Sequence, residues 1–135
     1  MADLTITAGS VVSGANARLE QGFAGETITA GQAVYKSTDG KWYKADSNSG
    51  TALARVPTAI ALTGSSANQP IVVQKSGSIT IGATLTAGIA YYLSATAGGI
   101  CPVGDLTTGD YPAVIGIAAS TTVLKLGFND SGVAL

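Results

Sequence analysis

One phrase of eleven residues is written twice in this chain. Thr27-Ile28-Thr29-Ala30-Gly31-Gln32-Ala33-Val34-Tyr35-Lys36-Ser37 returns as Thr84-Leu85-Thr86-Ala87-Gly88-Ile89-Ala90-Tyr91-Tyr92-Leu93-Ser94, with seven of the eleven positions identical at a constant spacing of 57. A second echo follows each copy: Pro57-Thr58-Ala59-Ile60-Ala61-Leu62 is answered by Pro112-Ala113-Val114-Ile115-Gly116-Ile117, at a spacing of 55. Two echoes in the same order mark one structural unit used twice. Repeat one runs over about 26–74 and repeat two over about 83–128.

Any local structure has to suit both copies. Ala, Leu and Tyr in the second copy are compatible with a helix, but the first carries Val34, Ile28 and two threonines around the same Ala-Gly pair. β-branched residues suit a pleated surface, and glycine takes the positive φ that a tight turn asks for. The phrase therefore predicts strand, corner, strand, with Ala33, Tyr35 and Ser37 alternating against Gln32, Val34 and Lys36. Tyr35 and Tyr92 are expected at equivalent core edges.

A unit of about 55 residues is marginal alone, because it buries only about 60% of its unfolded surface. The halves are expected to share a core. Hydrophobic residues make up 46% of the chain and charged residues 11%, which excludes a disordered polar chain. No run approaches the ~18 apolar residues of a membrane-spanning helix, and Met1-Ala2-Asp3 lacks the layout of a signal peptide, so synthesis and use inside a cell are expected. The single cysteine, Cys101, has no partner for an internal bridge.

Turn signals punctuate the rest. Asp39-Gly40 marks a hairpin, answered in repeat two by Ala97-Gly98-Gly99, and Trp42-Tyr43 opens a returning strand that Ile100-Cys101 opens in the other copy. Trp42 has no aromatic twin, which makes it a candidate anchor. Residues 1–15 stand outside the repeat: Leu4, Ile6 and Ala8 alternate with Thr5, Thr7 and Gly9 before Val11-Val12, and such a segment needs a sheet to join or a partner to cover it. The fold class expected is all-β, a compact sandwich or barrel of short antiparallel strands built from two internal repeats. An extended N-terminal arm occupies 1–15 and a single β domain 16–135.

The residue inventory argues against catalysis. Histidine is absent, removing the usual general base and the commonest metal ligand. Cys101 lacks a partner thiol or imidazole and reads as a core residue. Asp105 and Asp110 read as turn residues rather than a glycosidase pair, and Asp46, Asn48 and Gly50 lack the glutamate that closes a calcium loop. No enzyme activity, cofactor or metal is expected. A net charge of −1, with Asp39 and Asp46 interleaved among Lys36, Lys41 and Lys44, gives no footprint for nucleic acid.

Met1-Ala2-Asp3-Leu4-Thr5-Ile6-Thr7, Thr29-Ala30-Gly31-Gln32-Ala33-Val34-Tyr35-Lys36, the stretch 81–93 and Gly99-Ile100-Cys101-Pro102 resemble the capsid decoration, or cement, proteins encoded among the head genes of tailed bacteriophages. The resemblance covers most of the chain in strand and turn residues and carries no catalytic motif. It implies an all-β structural protein, a homotrimer made in the host cytoplasm and seated on the outer face of the virion, where it clamps major capsid protein subunits, with no membrane or nucleic acid as partner. Contacts to the shell are expected at Leu4, Ile6, Val11 and Val12 of the arm and at Arg18 and Trp42. The rival reading is a phage fibre or surface adhesion module that binds host glycans through Trp42, Tyr43, Tyr91 and Tyr111. A biotinyl or lipoyl carrier, also built from half-repeats, would need a lysine where Ala97-Gly98-Gly99 stands.

Overall fold

The repeated phrase folds into the same corner twice. In a computed structural model describing residues 3–135, Gly31 and Gly88 take φ of 93° and 88°, a region that costs a residue with a Cβ about 1–2 kcal/mol. Gly31 N–H donates to the Ala61 carbonyl and Gly88 N–H to the Ala118 carbonyl, both at 2.8 Å. Ala61 N–H returns to the Gln32 carbonyl at 2.9 Å, and Ala118 N–H to the Ile89 carbonyl at 3.0 Å. Each corner thereby launches a strand and fixes it against another about thirty residues on.

The strands are β1 (Val12–Ser13), β2 (Arg18–Phe23), β3 (Ala33–Lys36), β4 (Trp42–Lys44), β5 (Ala59–Ala61), β6 (Pro70–Thr80), β7 (Ala90–Leu93), β8 (Ile100–Pro102), β9 (Ala113–Ala118) and β10 (Val123–Asp130). Helical structure among the described residues is confined to 3-10 turns at Ala8–Ser10, Ala52–Arg55 and Val103–Asp105. The chain is thus nearly all-β, an antiparallel sheet curled into a half-barrel.

The strand order reads β4-β3-β5-β6-β10-β9-β7-β8, the same topology from either edge with β6 and β10 at the seam. Ladder registers extend the match: Ala33 lies opposite Ile60 and Val34 opposite Ala59, while Ala90 lies opposite Ile117 and Tyr91 opposite Gly116. Ile60 therefore corresponds to Ile117, not to Ile115 as the proline echo suggests. A register shift between Tyr91 and Tyr92, which passes over Ile115, takes up one residue of that two-residue difference. Trp42 corresponds to Ile100, each closing its hairpin opposite Lys36 or Leu93.

Two cores result. The larger gathers Ile79, Ile81, Leu85, Tyr91, Leu93, Ile115 and Leu124, and takes Ala33 and Ile60 from the other repeat. The smaller packs Ile28, Val34, Ala59, Ala61, Ile71 and Val73 around Trp42. Repeat one's short sheet lies between them, so β5 is buried on both faces. Strand β6 carries eleven residues without a break, Lys75-Ser76-Gly77 included. Gly77 sits within it at φ 89°.

The expected extended arm is instead a strap laid on the body. Leu4 N–H donates to the Ile100 carbonyl and Thr7 N–H to the Gly82 carbonyl, both at 2.8 Å, and Leu4 and Ile6 pack against the larger core. Ser94 Oγ donates to Asp3 Oδ1 at 2.7 Å. A Cβ on Gly31 would strike Ile6, and one on Gly82 would meet the Thr7 carbonyl oxygen, so these glycines keep the strap's track clear. The physical reason is the same need for cover that marks the segment in the sequence, met here within the chain. Met1 and Ala2, the first residues of the expected arm, lie outside the described residues.

Candidate contact surfaces

Of the six residues expected to make contacts, the structure places four against the chain's own interior. Leu4 and Ile6 are partly buried against the larger core, Val11 is 9% exposed, and Trp42 is 1% exposed. Trp42 is a core residue because small neighbours make room for it. A Cβ on Gly22 would come within 2.9 Å of the indole nitrogen, and Ala24, itself fully buried, forms a parallel bridge to Trp42. Lys36 Nζ stands 5.9 Å above the ring, within cation–π range. Among the described residues the buried indole N–H has no hydrogen-bond partner, a cost accepted for the packing. The small residues flanking Phe23 are the sequence signal for this burial.

Val12 and Arg18 do reach the surface. Strand β1 pairs with β6 at Thr80 and Ile79, and β2 continues antiparallel along it from Ser76 to Pro70. Alternation turns Glu20 and Gly22 toward Trp42 and leaves Leu19, Gln21 and Phe23 outward. Leu19 is 50% and Phe23 54% exposed. Phe23, Pro70, Val72 and Thr63 border an open groove of about 620 Å³ that no ionisable side chain lines. Glu20 is held from within by Lys36 at 3.2 Å and Lys75 at 3.3 Å. Hydrogen bonding from the Lys36 ammonium keeps its carboxyl below the usual value, with Lys75 acting in the same direction against a modest desolvation.

A second exposed surface is the outer face of repeat two. Ala90, Ile117 and Lys125 stand side by side across β7, β9 and β10. Ile117 is 53% exposed and Ile89 39%. Their register counterparts in repeat one, Ala33, Ile60 and Gln74, are fully buried. The corner at Gly88 is open as well: a Cβ there would meet nothing within 4 Å, whereas the Gly31 corner lies under Ile6 and Val11.

The remaining polar groups are structural in their geometry. Cys101 is buried, and desolvation, reinforced by the negative charges of Asp3, Asp105 and Asp110, pushes its thiol up to about 12. Asp3, Cys101 and Asp105 bring ligand-type atoms within 4.8 Å of one another, but a thiol that keeps its proton at neutral pH is a poor ligand, and Asp3 already anchors the strap. Asp110 is buried and accepts from the Thr107 amide at 2.9 Å, as a turn residue does. Arg55 stacks 3.7 Å over the Tyr111 ring beside a small cleft. A further shallow groove is lined by Thr5, Thr7, Ser10, Thr80 and Thr122.

No helix among the described residues is long and apolar enough to cross a membrane. Comparison with known proteins finds no matching family model, no matching curated protein and no matching solved structure.

Proposed function

We propose that the chain is a structural binding module that decorates a protein lattice, the outer surface of a phage head, and stabilises contacts between major capsid subunits there. The observation that carries this reading is the outer face of repeat two. The chain buries Ala33, Ile60 and Gln74 of repeat one, yet leaves Ile117, the counterpart of Ile60, open beside a half-buried Ala90 and Lys125, with Ile89 exposed at the adjoining corner. An aliphatic sheet face rimmed by few charges suits a partner surface. A module bound only to the assembled lattice stabilises it by mass action, and many copies around symmetry axes reinforce one another.

The pattern of groups supports adhesion over chemistry. The groove of about 620 Å³ beside Phe23 carries no ionisable side chain, and the thiol stays protonated. The glycan-binding alternative loses support from the burial of Trp42 and Tyr91, two of its four aromatics. Co-sedimentation with heads lacking this chain tests the reading: wild type pellets with the heads and Ile117→Lys stays in the supernatant. Wild-type protein that never pellets with any head preparation refutes it.

A further inference from the structure

The outer face of repeat two extends beyond Ile117 and Ile89. Lys125 lies opposite Ser78 of β6 on one side and opposite Ile117 on the other, and Ile117 lies opposite Ala90. Residues directly opposite one another share a face, so Ser78, Lys125, Ile117 and Ala90 form one row across four strands. Two residues along, the next row on that face is Val12, Thr80 and Val123. Val12 is 56% exposed. Among the side chains of these two rows Lys125 carries the only formal charge.

Lys125 is also the lysine that the chain leaves unanswered. Lys36 and Lys75 hold Glu20, Lys44 stands 4.0 Å from Glu26, and Lys41 Nζ donates to Asn68 Oδ1 at 2.7 Å. Lys125 is exposed, and among the described residues its ammonium has no ion pair or hydrogen bond. The next acidic residue on its strand is Asp130, five residues on, about 16 Å away at the rise of a strand. Repeat one shows what a covered version of the row needs. There Ala33 and Ile60 enter the larger core, and the third position is Gln74, whose Nε2 donates to the Ser76 and Ser78 carbonyls at 3.0 and 2.8 Å. In repeat two the third position carries a full positive charge, and its acceptor oxygens have to come from whatever covers Ile117.

Resting on the lattice-binding reading and sharpening it, we propose that Lys125 is the electrostatic anchor of this face, and that the occupant is a protein surface presenting an aspartate or glutamate carboxylate within an apolar patch. An ammonium covered without a partner is costly, whereas a facing carboxylate fixes both the register of docking and the choice of partner. A second copy meeting this face about a twofold axis presents the same patch. It brings another lysine and no acid, which makes it a poor occupant. Neutral carbonyl acceptors, sufficient for the Gln74 amide, leave the charge of Lys125 uncompensated.

The test uses the full chain and heads that lack it. Lys125 is exposed, so its variants keep the wild-type circular dichroism. Lys125→Gln binds heads about thirtyfold or more weakly than the wild type, the loss that follows removal of one partner from a covered charge pair, and Lys125→Glu stays in the supernatant. Lys41→Glu, the same change of charge in the other repeat, pellets like the wild type. Lys125→Gln that binds as tightly as the wild type overturns the proposal, because neutral acceptors then suffice. So does equal weakening by Lys125→Glu and Lys41→Glu, which assigns the effect to overall charge. A mass that rises with concentration for the protein alone, and is lost in Ile117→Lys, gives the face to a second copy and overturns it too. If Ile117→Lys fails to pellet while both Lys125 variants bind normally, attachment through this face stands and the carboxylate partner falls. Wild-type protein that pellets with no head preparation overturns both.

Discussion

Repeat one and repeat two share corners, ladder registers and strand order, yet they treat the same sheet face in opposite ways. In repeat one Ala33, Ile60 and Gln74 are buried under the other half of the molecule, while Ala90, Ile117 and Lys125 of repeat two face outward. The shared core is accordingly built from opposite faces of two similar sheets. The two sheets pack here without equivalence, so the face that one covers at Ile60 the other leaves open at Ile117.

The most direct probe of this difference places the same change at corresponding positions. Ile60→Ala removes a fully buried side chain and is expected to cost about 2–5 kcal/mol in urea unfolding. Ile117→Ala, half exposed, should cost under about 1 kcal/mol. Equal losses would mean that the outer face of repeat two is also packed. Trp42→Ala should cost about 3–5 kcal/mol, and its register counterpart Ile100→Ala about 2–5, because here both copies bury the position. Gly31→Ala and Gly88→Ala impose the same backbone strain, about 1–2 kcal/mol, but the first also drives a Cβ into Ile6. Gly31→Ala should therefore be worse by about 1–3 kcal/mol, and Ile6→Ala in the same chain should close much of that gap. If the two glycine variants are alike from the start, the strap does not press on the first corner.

A smaller asymmetry is ionic. The carboxyl of Glu20 is lowered by Lys36 and Lys75, so the pairs stabilise the fold above the ordinary glutamate value near 4.5 and that contribution is lost as pH falls through the lowered value. Glu20→Gln should reduce stability at neutral pH by less than about 1 kcal/mol, as befits solvent-exposed pairs, and make no difference in strong acid. Cys101 adds a probe in repeat two: with its thiol buried and pushed up to about 12, a thiol reagent at neutral pH should react only as fast as the protein opens.

Much of this architecture is legible in the chain. The two Ala-Gly corners, the Asp39-Gly40 hairpin and the alternation in β3 and β7 are local signals, and local signals survive tertiary context when they specify positive φ or a period of two. The strap is legible only in part. The alternation of Leu4 and Ile6 announces that the segment needs cover, but which surface supplies it depends on Gly31, Gly82 and Ile100, far away in sequence. Trp42 stands apart in the sequence because it has no aromatic twin, although its positional twin Ile100 is buried in the same way. Residue identity is the wrong measure there; register is the right one. The exposure of Leu19 and Phe23 does not follow from a strand that alternates with a glutamate and a glycine, since neither of its sides carries a pattern that marks it as the inner one.

Strand β6 has a kinetic consequence. Its first half pairs with β2 and β5 and its second half with β1 and β10, so it cannot complete its ladders until segments far away on both sides have arrived. Such non-local closure slows folding, and it leaves neither half of the molecule a self-sufficient nucleus. The body should therefore assemble late and all at once, and a nick in the exposed loop at 63–69 should yield two fragments that fold only when mixed.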